Sequence, residues 1–537
     1  MGLFKKLFSI LQGDSEEKDI ENLSGTSNSQ ETNCSEEEAA AKVKTEEEAA
    51  AKAKAEEEAA AKAKAEEEAA AKAKAEEEAA AKAKAEEEAA NPTLVDSAIA
   101  NQLTDGGKKK NVILPASVCE IEIIAFLREE LECIDMTSCN KLTIIDRNAF
   151  SECVNLTNII FPENIEEIGN SAFCGCKALT SIDLSNCKKL DKIGESVFTR
   201  CENLTNIIFP ENIEEIGNSA FCGCEALTSI DLSNCKKLDK IGKSVFTGCE
   251  NLTNIIFPEN IEEIGEAAFY GCEALTSIDL SNCKKLNKIG EEAFKCCSSL
   301  KEVLLPESLS SIGKEAFYGC KIENIDFSAC KLLTKFPDSL FDRCKSLEEV
   351  VWPPHLKEIG DEAFGNCESL RRVELPDSVE VLGEEIFQGC KLKSLSLPKN
   401  IKKLPALGCN IKALDMSRCK KLKVLTAPIT CSSKTIVFPV GVEEIEADVF
   451  RYNKSGQFES IFLPPTIKEV ELDSSADEAN VYCYAPELEN VKDIIEKCAC
   501  LLVLPQYYDN YYDQVVAEGA EGCLDKIPED KLYFYDE

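Results

Sequence analysis

Residues Asn155 to Glu202 recur almost unchanged at Asn203 to Glu250, and again, more loosely, from Asn251. The first two copies differ at three of 48 positions: Lys177/Glu225, Glu195/Lys243 and Arg200/Gly248. A chain that copies itself at a fixed period folds as a stack of like units, each covering the apolar face of the next, and not as one closed core. With 537 residues it also exceeds what a single core takes. Such a stack offers a long regular surface and no ready-made catalytic cleft.

The leading leucines of the units are Leu156, Leu179, Leu204, Leu227, Leu252, Leu275 and Leu300, so steps of 23 and 25 alternate within the double unit of 48. Each unit has a strand-like Leu-x-x-Ile-x-Leu/Phe segment, then a bend (Phe-Pro or Ser-Asn-Cys). A second apolar pair follows (Ile165/Ile168, Leu190/Ile193), then a glycine and an Ala/Val-Phe segment. The glycine suits a sharp backbone turn, and Pro210 and its equivalents stop the strand. Identical strands stack as a parallel sheet spaced about 4.8 Å, with Ile182, Leu184 and Phe173 in continuous internal ladders.

The chain holds 29 cysteines, most of them in two columns. One follows an Ala/Ile/Leu/Val-Phe-x-x-Cys pattern from Cys153 to Cys390; the other contains Cys139, Cys187, Cys235, Cys283, Cys330 and Cys419. A cysteine recurring once per unit has one structural address, where a buried thiol acts as a small apolar residue. Disulfides and metal between units are the alternatives. Zinc calls for Cys-x-x-Cys knuckles or histidines, and the chain has a single histidine, His355.

The start of the chain differs in kind. Residues 1–34 form a leader in which Leu3, Phe4, Leu7, Phe8, Ile10 and Leu11 recur at spacings of three and four, with Lys5 and Lys6 opposite. Two readings stand: a basic amphipathic helix for a membrane surface, with peripheral contact through residues 1–12, or an apolar tail. Residues 35–90 repeat EEEAAAKAKA, strong helix formers with a capping box at Ser35/Glu38. As a helix they would span about 84 Å. A decapeptide period holds no apolar stripe, so a solitary spacer helix is expected and not a coiled coil. Residues 91–110 read as a linker, and 111–537 as the repeat array with a C-terminal cap.

The formal net charge of −38 argues against nucleic acid as a partner and favours basic patches on proteins. No run approaches the roughly 18 apolar residues of a membrane span, and the apolar run after Lys5-Lys6 is too short for a secretory signal. The expected location is cytoplasmic, with peripheral membrane attachment through the leader; the alternative is a surface or secreted protein. His355 lies at a repeat bend, phosphate-loop and dinucleotide motifs are missing, and the acidic pairs repeat once per unit as a solvated face would. The chain is therefore expected to be no enzyme and to need no cofactor.

The segment Leu179-x-x-Ile182-x-Leu184-x-x-Cys187 resembles the leucine-rich repeat, with Cys187 at the Asn/Cys ladder position. The fuller run from Phe161 to Leu184, FPENIEEIGNSAFCGCKALTSIDL, resembles the BspA-like, or Treponema-type, form of that repeat. The likeness extends from about Asn111 to Leu504, with departures at Leu404-Pro405-Ala406-Leu407 and around Arg451-Tyr452-Asn453. Cys500 to Asp513 resembles the Tyr-rich terminal coil of such arrays. The resemblance implies an α/β repeat solenoid, a leucine-rich repeat array with a parallel β-sheet, here preceded by a long isolated α-helix. It further implies protein binding, either as a scaffold or as an adhesin or effector at a cell surface.

Strand alternation then places a candidate protein-binding face. With Ile182 and Leu184 pointing in, the outward columns read Asn158, Ser181, Asn206, Ser229, Asn254, Ser277 and Ile160, Asp183, Ile208, Asp231, Ile256, Asp279. The same β-branched residues suit a strand whatever its function. The partner implied is a protein, of basic character if it meets the aspartates.

Overall fold

The computed structural model describes residues 71–75, 93–451, 458–518, 520–532 and 535. The chain divides into two units, Met1–Lys82 and Ala83–Glu537. In the first, residues 71–75 are helical. The leader, the rest of the expected 35–90 helix and the start of the expected linker lie outside the described residues.

The second unit is a parallel β-solenoid of leucine-rich repeat type. Three ladders run along it. The first consists of three-residue strands such as Ser181–Asp183 and Asn206–Ile208, paired in register. The second consists of two-residue strands such as Lys192–Ile193 and Glu215–Ile216, and it runs unbroken through six strands from Thr93–Val95 to Glu215–Ile216. In sequence these strands show only as apolar pairs, Ile165/Ile168 and Leu190/Ile193.

On the third side the α/β expectation is corrected. Successive turns stand where helices were expected, because left-handed residues interrupt the backbone every few positions: Ser171 (φ 58°) and Gly175 (φ 75°), Ser196 (φ 56°) and Arg200 (φ 59°). A right-handed helix cannot pass through such residues. Alternate amides close local turns, as in Cys174 N–H to Ser171 O, while those between reach the next coil: Ser171 to Glu195 O, Phe173 to Val197 O and Gly175 to Thr199 O, at 2.8–3.0 Å. On this side the backbone is thus satisfied between coils.

Inside, twelve phenylalanines from Phe126 to Phe387 stack along the array, neighbours 4.9–5.8 Å apart and nearly parallel. The cysteine columns are bonded to the same framework. Each of the eleven thiols from Cys153 to Cys390 donates to the carbonyl of the phenylalanine one coil back, at 2.9–3.4 Å. Cys187, Cys235, Cys283, Cys330 and Cys419 donate likewise to the proline carbonyl of the preceding coil. The described cysteines are free thiols, and a small apolar residue with one weak donor fits both addresses. Burial pushes Cys139, Cys187 and Cys235 up to about 12, with a nearby aspartate adding to it in each case.

The glycine after each second-ladder strand is not at a left-handed turn. It sits where coils touch: a Cβ on Gly217 would lie 2.6 Å from the carbonyl carbon of Gly194.

Both ends of the array are covered. Strand Thr93–Val95 pairs with Val118–Ile121, and helix Ser97–Leu103, capped by the Asp96 carboxylate on the amides of Ala98 and Ile99, buries Ala100. At the other end, helix Tyr508–Ala517 buries Tyr511, whose hydroxyl donates to Ala485 O at 3.0 Å. That tyrosine packs on the last coils instead of facing solvent.

Candidate protein-binding face

The first ladder puts every predicted face residue outward. Strands Asn158–Ile160, Ser181–Asp183, Asn206–Ile208, Ser229–Asp231, Asn254–Ile256 and Ser277–Asp279 share one pattern, exposed, buried, exposed. Registers align the outer columns: Asp135 with Ile160, Asp183 with Ile208, Asp231 with Ile256 and Asp279 with Leu304. The apolar/acid alternation runs from Ile113 opposite Asp135 to Asp326 opposite Val351.

Half of that column has a local explanation. Asp183 Oδ1 accepts the amide of Ser185 at 2.9 Å, and Asp231, Asp279 and Asp326 do the same for Ser233, Ser281 and Ser328. In these coils the side chain closes the bend; in the alternate coils proline fixes it instead. The isoleucines have no such task. Ile160, Ile208 and Ile256 are 38%, 45% and 45% exposed, large apolar side chains held in water at every second coil.

The second ladder supplies a contrast. Its outward residues alternate Glu and Lys, and they neutralise each other across coils: Lys192–Glu215 at 2.9 Å, Lys288–Glu263 at 3.0 Å, Lys335–Glu358 at 2.6 Å. The row beside it does likewise in Lys189–Glu166 and Lys237–Glu214. Among the described residues, Asp183, Asp231, Asp279 and Asp326 form no ion pair. One side of the solenoid is thus self-compensated and the other combines open carboxylates with exposed isoleucine.

A further feature escaped the sequence reading. Up to Ala413–Asp415 the strands of the first ladder bond in pairs or threes, and Glu349–Val351 and Arg372–Glu374 are one of several neighbouring pairs left unbonded. A groove of about 890 Å³ lies over the coils from Glu349 to Arg418. Val350 and Leu414 occupy inward strand positions yet are half-exposed to it, as is Trp352. Across the groove Arg418 pairs with Asp377 and reaches Glu374 at 3.6 Å. The signal was present in the sequence: residues 391–423 carry ten Lys or Arg and one acid, Asp415, inside a chain of net charge −38. His355 is an exposed loop residue. Among the described residues no cluster of His, Cys, Asp or Glu could hold a metal ion, and no helix is long and apolar enough to cross a membrane.

A stacked array of 23- and 25-residue coils with a thiol at one address per coil and an outward strand face defines a leucine-rich repeat protein. More narrowly, the chain belongs to the BspA type leucine rich repeat region family, whose model matches residues 119–240, 214–348 and 334–455. No curated protein matches the chain. Among solved structures it is similar to a leucine-rich repeat protein from Bacteroides ovatus, 27% identical over 67% of this chain and 84% of the other, with a TM-score of 0.49. It is also similar to a leucine rich cell surface protein from Faecalibacterium prausnitzii, 20% identical over 67% and 83%, TM-score 0.35. The pneumococcal vaccine antigen PcpA is likewise 20% identical, over 72% and 86%, with a TM-score of 0.36.

Proposed function

We propose that this protein is a non-catalytic scaffold that binds another protein on the outward face of its first ladder, centred on Ile160, Asp183, Ile208, Asp231, Ile256 and Asp279, with the Asn/Ser column from Asn158 to Ser277 at its edge. The observation that carries the reading is the contrast between the two ladders. Ion pairs between coils neutralise the second, while the first keeps exposed isoleucines beside carboxylates that have no cationic partner. Apolar side chains supply the area-dependent part of an interface and the carboxylates its sign, so the partner surface is apolar and basic. The reduced thiol columns support assembly in a reducing compartment, in keeping with a cytoplasmic scaffold, and the leader's apolar and basic residues support attachment to a membrane surface.

The test replaces Ile160, Ile208 and Ile256 together by Ser. A partner captured by the full-length wild type and identified by mass spectrometry should be lost from the variant, while circular dichroism and thermal unfolding stay unchanged. Undiminished capture by the variant rejects the face. Membrane attachment is tested separately by liposome flotation with and without residues 1–12; equal flotation rejects it.

A further inference from the structure

A second docking surface of opposite sign lies further along the same ladder. Arg372–Glu374, Ser394–Ser396 and Ala413–Asp415 pair in register, which stacks the residues just before them, Arg371, Lys393 and Lys412, in one row on successive coils. All three are exposed. Among the described residues none of them forms an ion pair, although elsewhere on this array lysines are repeatedly met by a glutamate of the adjoining coil. Arg371 and Lys393 line a depression with Arg372, Glu348 and Glu349, which shares Glu349 and Arg372 with the groove whose half-exposed floor is Val350, Trp352 and Leu414. It also falls in the stretch where the repeat pattern itself breaks: the strand step shortens from Ser394 to Ala413, and the coil lacks the Ala-Phe-x-x-Cys segment.

From this geometry we infer that the groove and its basic row dock an extended acidic segment of a partner protein, with carboxylates on the row and an apolar or aromatic side chain on the groove floor. The overall charge of −38 does not prevent this. Charges further apart than a Debye length of about 8 Å are screened at physiological salt, so the local row decides the contact. The spacing fits. Three coils at about 4.8 Å place Arg371 and Lys412 about 10 Å apart, which is the reach of three residues of extended chain at about 3.3 Å each. A nucleic acid fits less well, because Glu349, Glu374 and Asp415 line the same groove and would oppose a continuous run of phosphates. A peptide with spaced carboxylates can seat between them.

The experiment uses the full chain and fluorescence anisotropy of a labelled peptide, Gly-Glu-Phe-Glu-Leu-Glu-Phe-Glu-Gly. Parallel arms use the same peptide with Gln for Glu, a single-stranded oligothymidylate and phosphatidylserine vesicles. The test variant combines Arg371→Glu, Lys393→Glu and Lys412→Glu, all at exposed positions; a second variant carries the three Ile→Ser changes of the other face. The wild type should bind the Glu peptide and weaken with salt. The charge-reversed chain should lose about tenfold or more in affinity, equivalent to about 1.4 kcal/mol, and the Ile→Ser chain should bind as wild type does. No binding of the Glu peptide overturns the proposal. So does equal binding of the Gln peptide, undiminished binding by the charge-reversed chain with its circular dichroism intact, or preference for the oligonucleotide or vesicles. Should the charge-reversed chain fail to fold, Lys393→Gln with Lys412→Gln replaces it, with the same reading.

Discussion

Replacing Gly217 by alanine sets two known effects against each other. The residue is not at positive φ, so on backbone grounds alone alanine should stabilise by about 0.4–1 kcal/mol through the unfolded chain. The packing says otherwise. The new Cβ would lie 2.6 Å from the carbonyl carbon and oxygen of Gly194 and 2.7 Å from the amide of Glu195, all of them backbone atoms. Ordinary contact begins at 3.4 Å, so the two coils must part by about 0.8 Å in a close-packed interior. The bonds closing this seam are Gly217 N–H to Ile193 O, Ser196 N–H to Asn218 O and Phe198 N–H to Ala220 O, at 2.8–2.9 Å. Opened by that amount they would exceed about 3.5 Å and cease to be hydrogen bonds. Overpacking costs about 1–3 kcal/mol and each lost bond about 1 kcal/mol. Relaxation of neighbours returns part of this, which leaves a net destabilisation of about 2–3 kcal/mol.

Urea unfolding followed by circular dichroism measures the total, and hydrogen exchange should place the loss in the coils around residues 192–222. The matched control is Gly223→Ala. Gly223 is at φ +72° and a Cβ there would make only ordinary contact (nearest atom 3.7 Å), and Arg200, Cys296 and Arg343 hold the same turn position at φ 59–62°. It should cost only about 1 kcal/mol. A Gly217→Ala protein as stable as wild type, or less affected than Gly223→Ala, refutes the view that the glycine is fixed by contact between coils.

Alkaline pH should destabilise the fold. Buried thiols such as Cys139, Cys187 and Cys235 are pushed up to about 12, so between about pH 9 and 12 the unfolded chain ionises its thiols while the folded chain does not; urea midpoints should fall across that window, and flat midpoints count against thiol burial. Iodoacetamide at neutral pH should spare the Cys153–Cys390 column in the native protein and label it in denaturant, with mass mapping as the readout. Truncation after Pro528 removes Lys531, which lies 4.5 Å from the Tyr482 ring centre, and Tyr535, whose hydroxyl donates to the carbonyls of Phe438 and Phe462. The uncovered cluster of Phe462, Tyr482 and Leu502 should raise anilinonaphthalene-sulfonate fluorescence, and no rise would show that the tail does not shield it. Exchanging Lys192 and Glu215 should alter stability by less than about 1 kcal/mol, because both are half in solvent.

The stack, its period and its inward ladders were legible because identical residues in successive coils touch each other, so that each packing constraint is written many times over. The outward columns were legible for the same reason, through strand alternation. What stayed hidden were features that depend on the backbone. The turn side carries Ala/Val-Phe segments compatible with a helix; left-handed residues such as Ser171, Ser196, Arg200 and Ser219 exclude one, and neither serine nor arginine announces positive φ. The second ladder was hidden because its strands are two residues long, below the length at which alternation can be counted. The role of the aspartates was hidden too, since a carboxylate capping the bend at Ser185 has the same sequence signature as one awaiting a ligand. The groove at Val350 and Leu414 stayed hidden because both residues hold inward strand positions, which alternation reads as buried.

The three differences between the 48-residue copies show how such an array changes its surface without losing its fold. Lys177/Glu225 and Glu195/Lys243 are exposed in both copies, and Arg200/Gly248 stands on a left-handed turn at φ 59° and 70°. None touches the phenylalanine stack or the thiol bonds. Charge outside the ladders is therefore free to drift coil by coil: Lys177 meets Glu202 at 2.7 Å, and Lys243 meets Glu266 at 2.7 Å. Because each coil contacts only its neighbours, a local change in sign spreads no strain along the stack. An acid-and-isoleucine face over one stretch and a basic row beside a groove over another can then coexist on one ladder. For the two proposed docking surfaces, two partners of opposite charge suit the arrangement better than one partner spanning both, since a single complementary surface would have to reverse its own sign within a few coils.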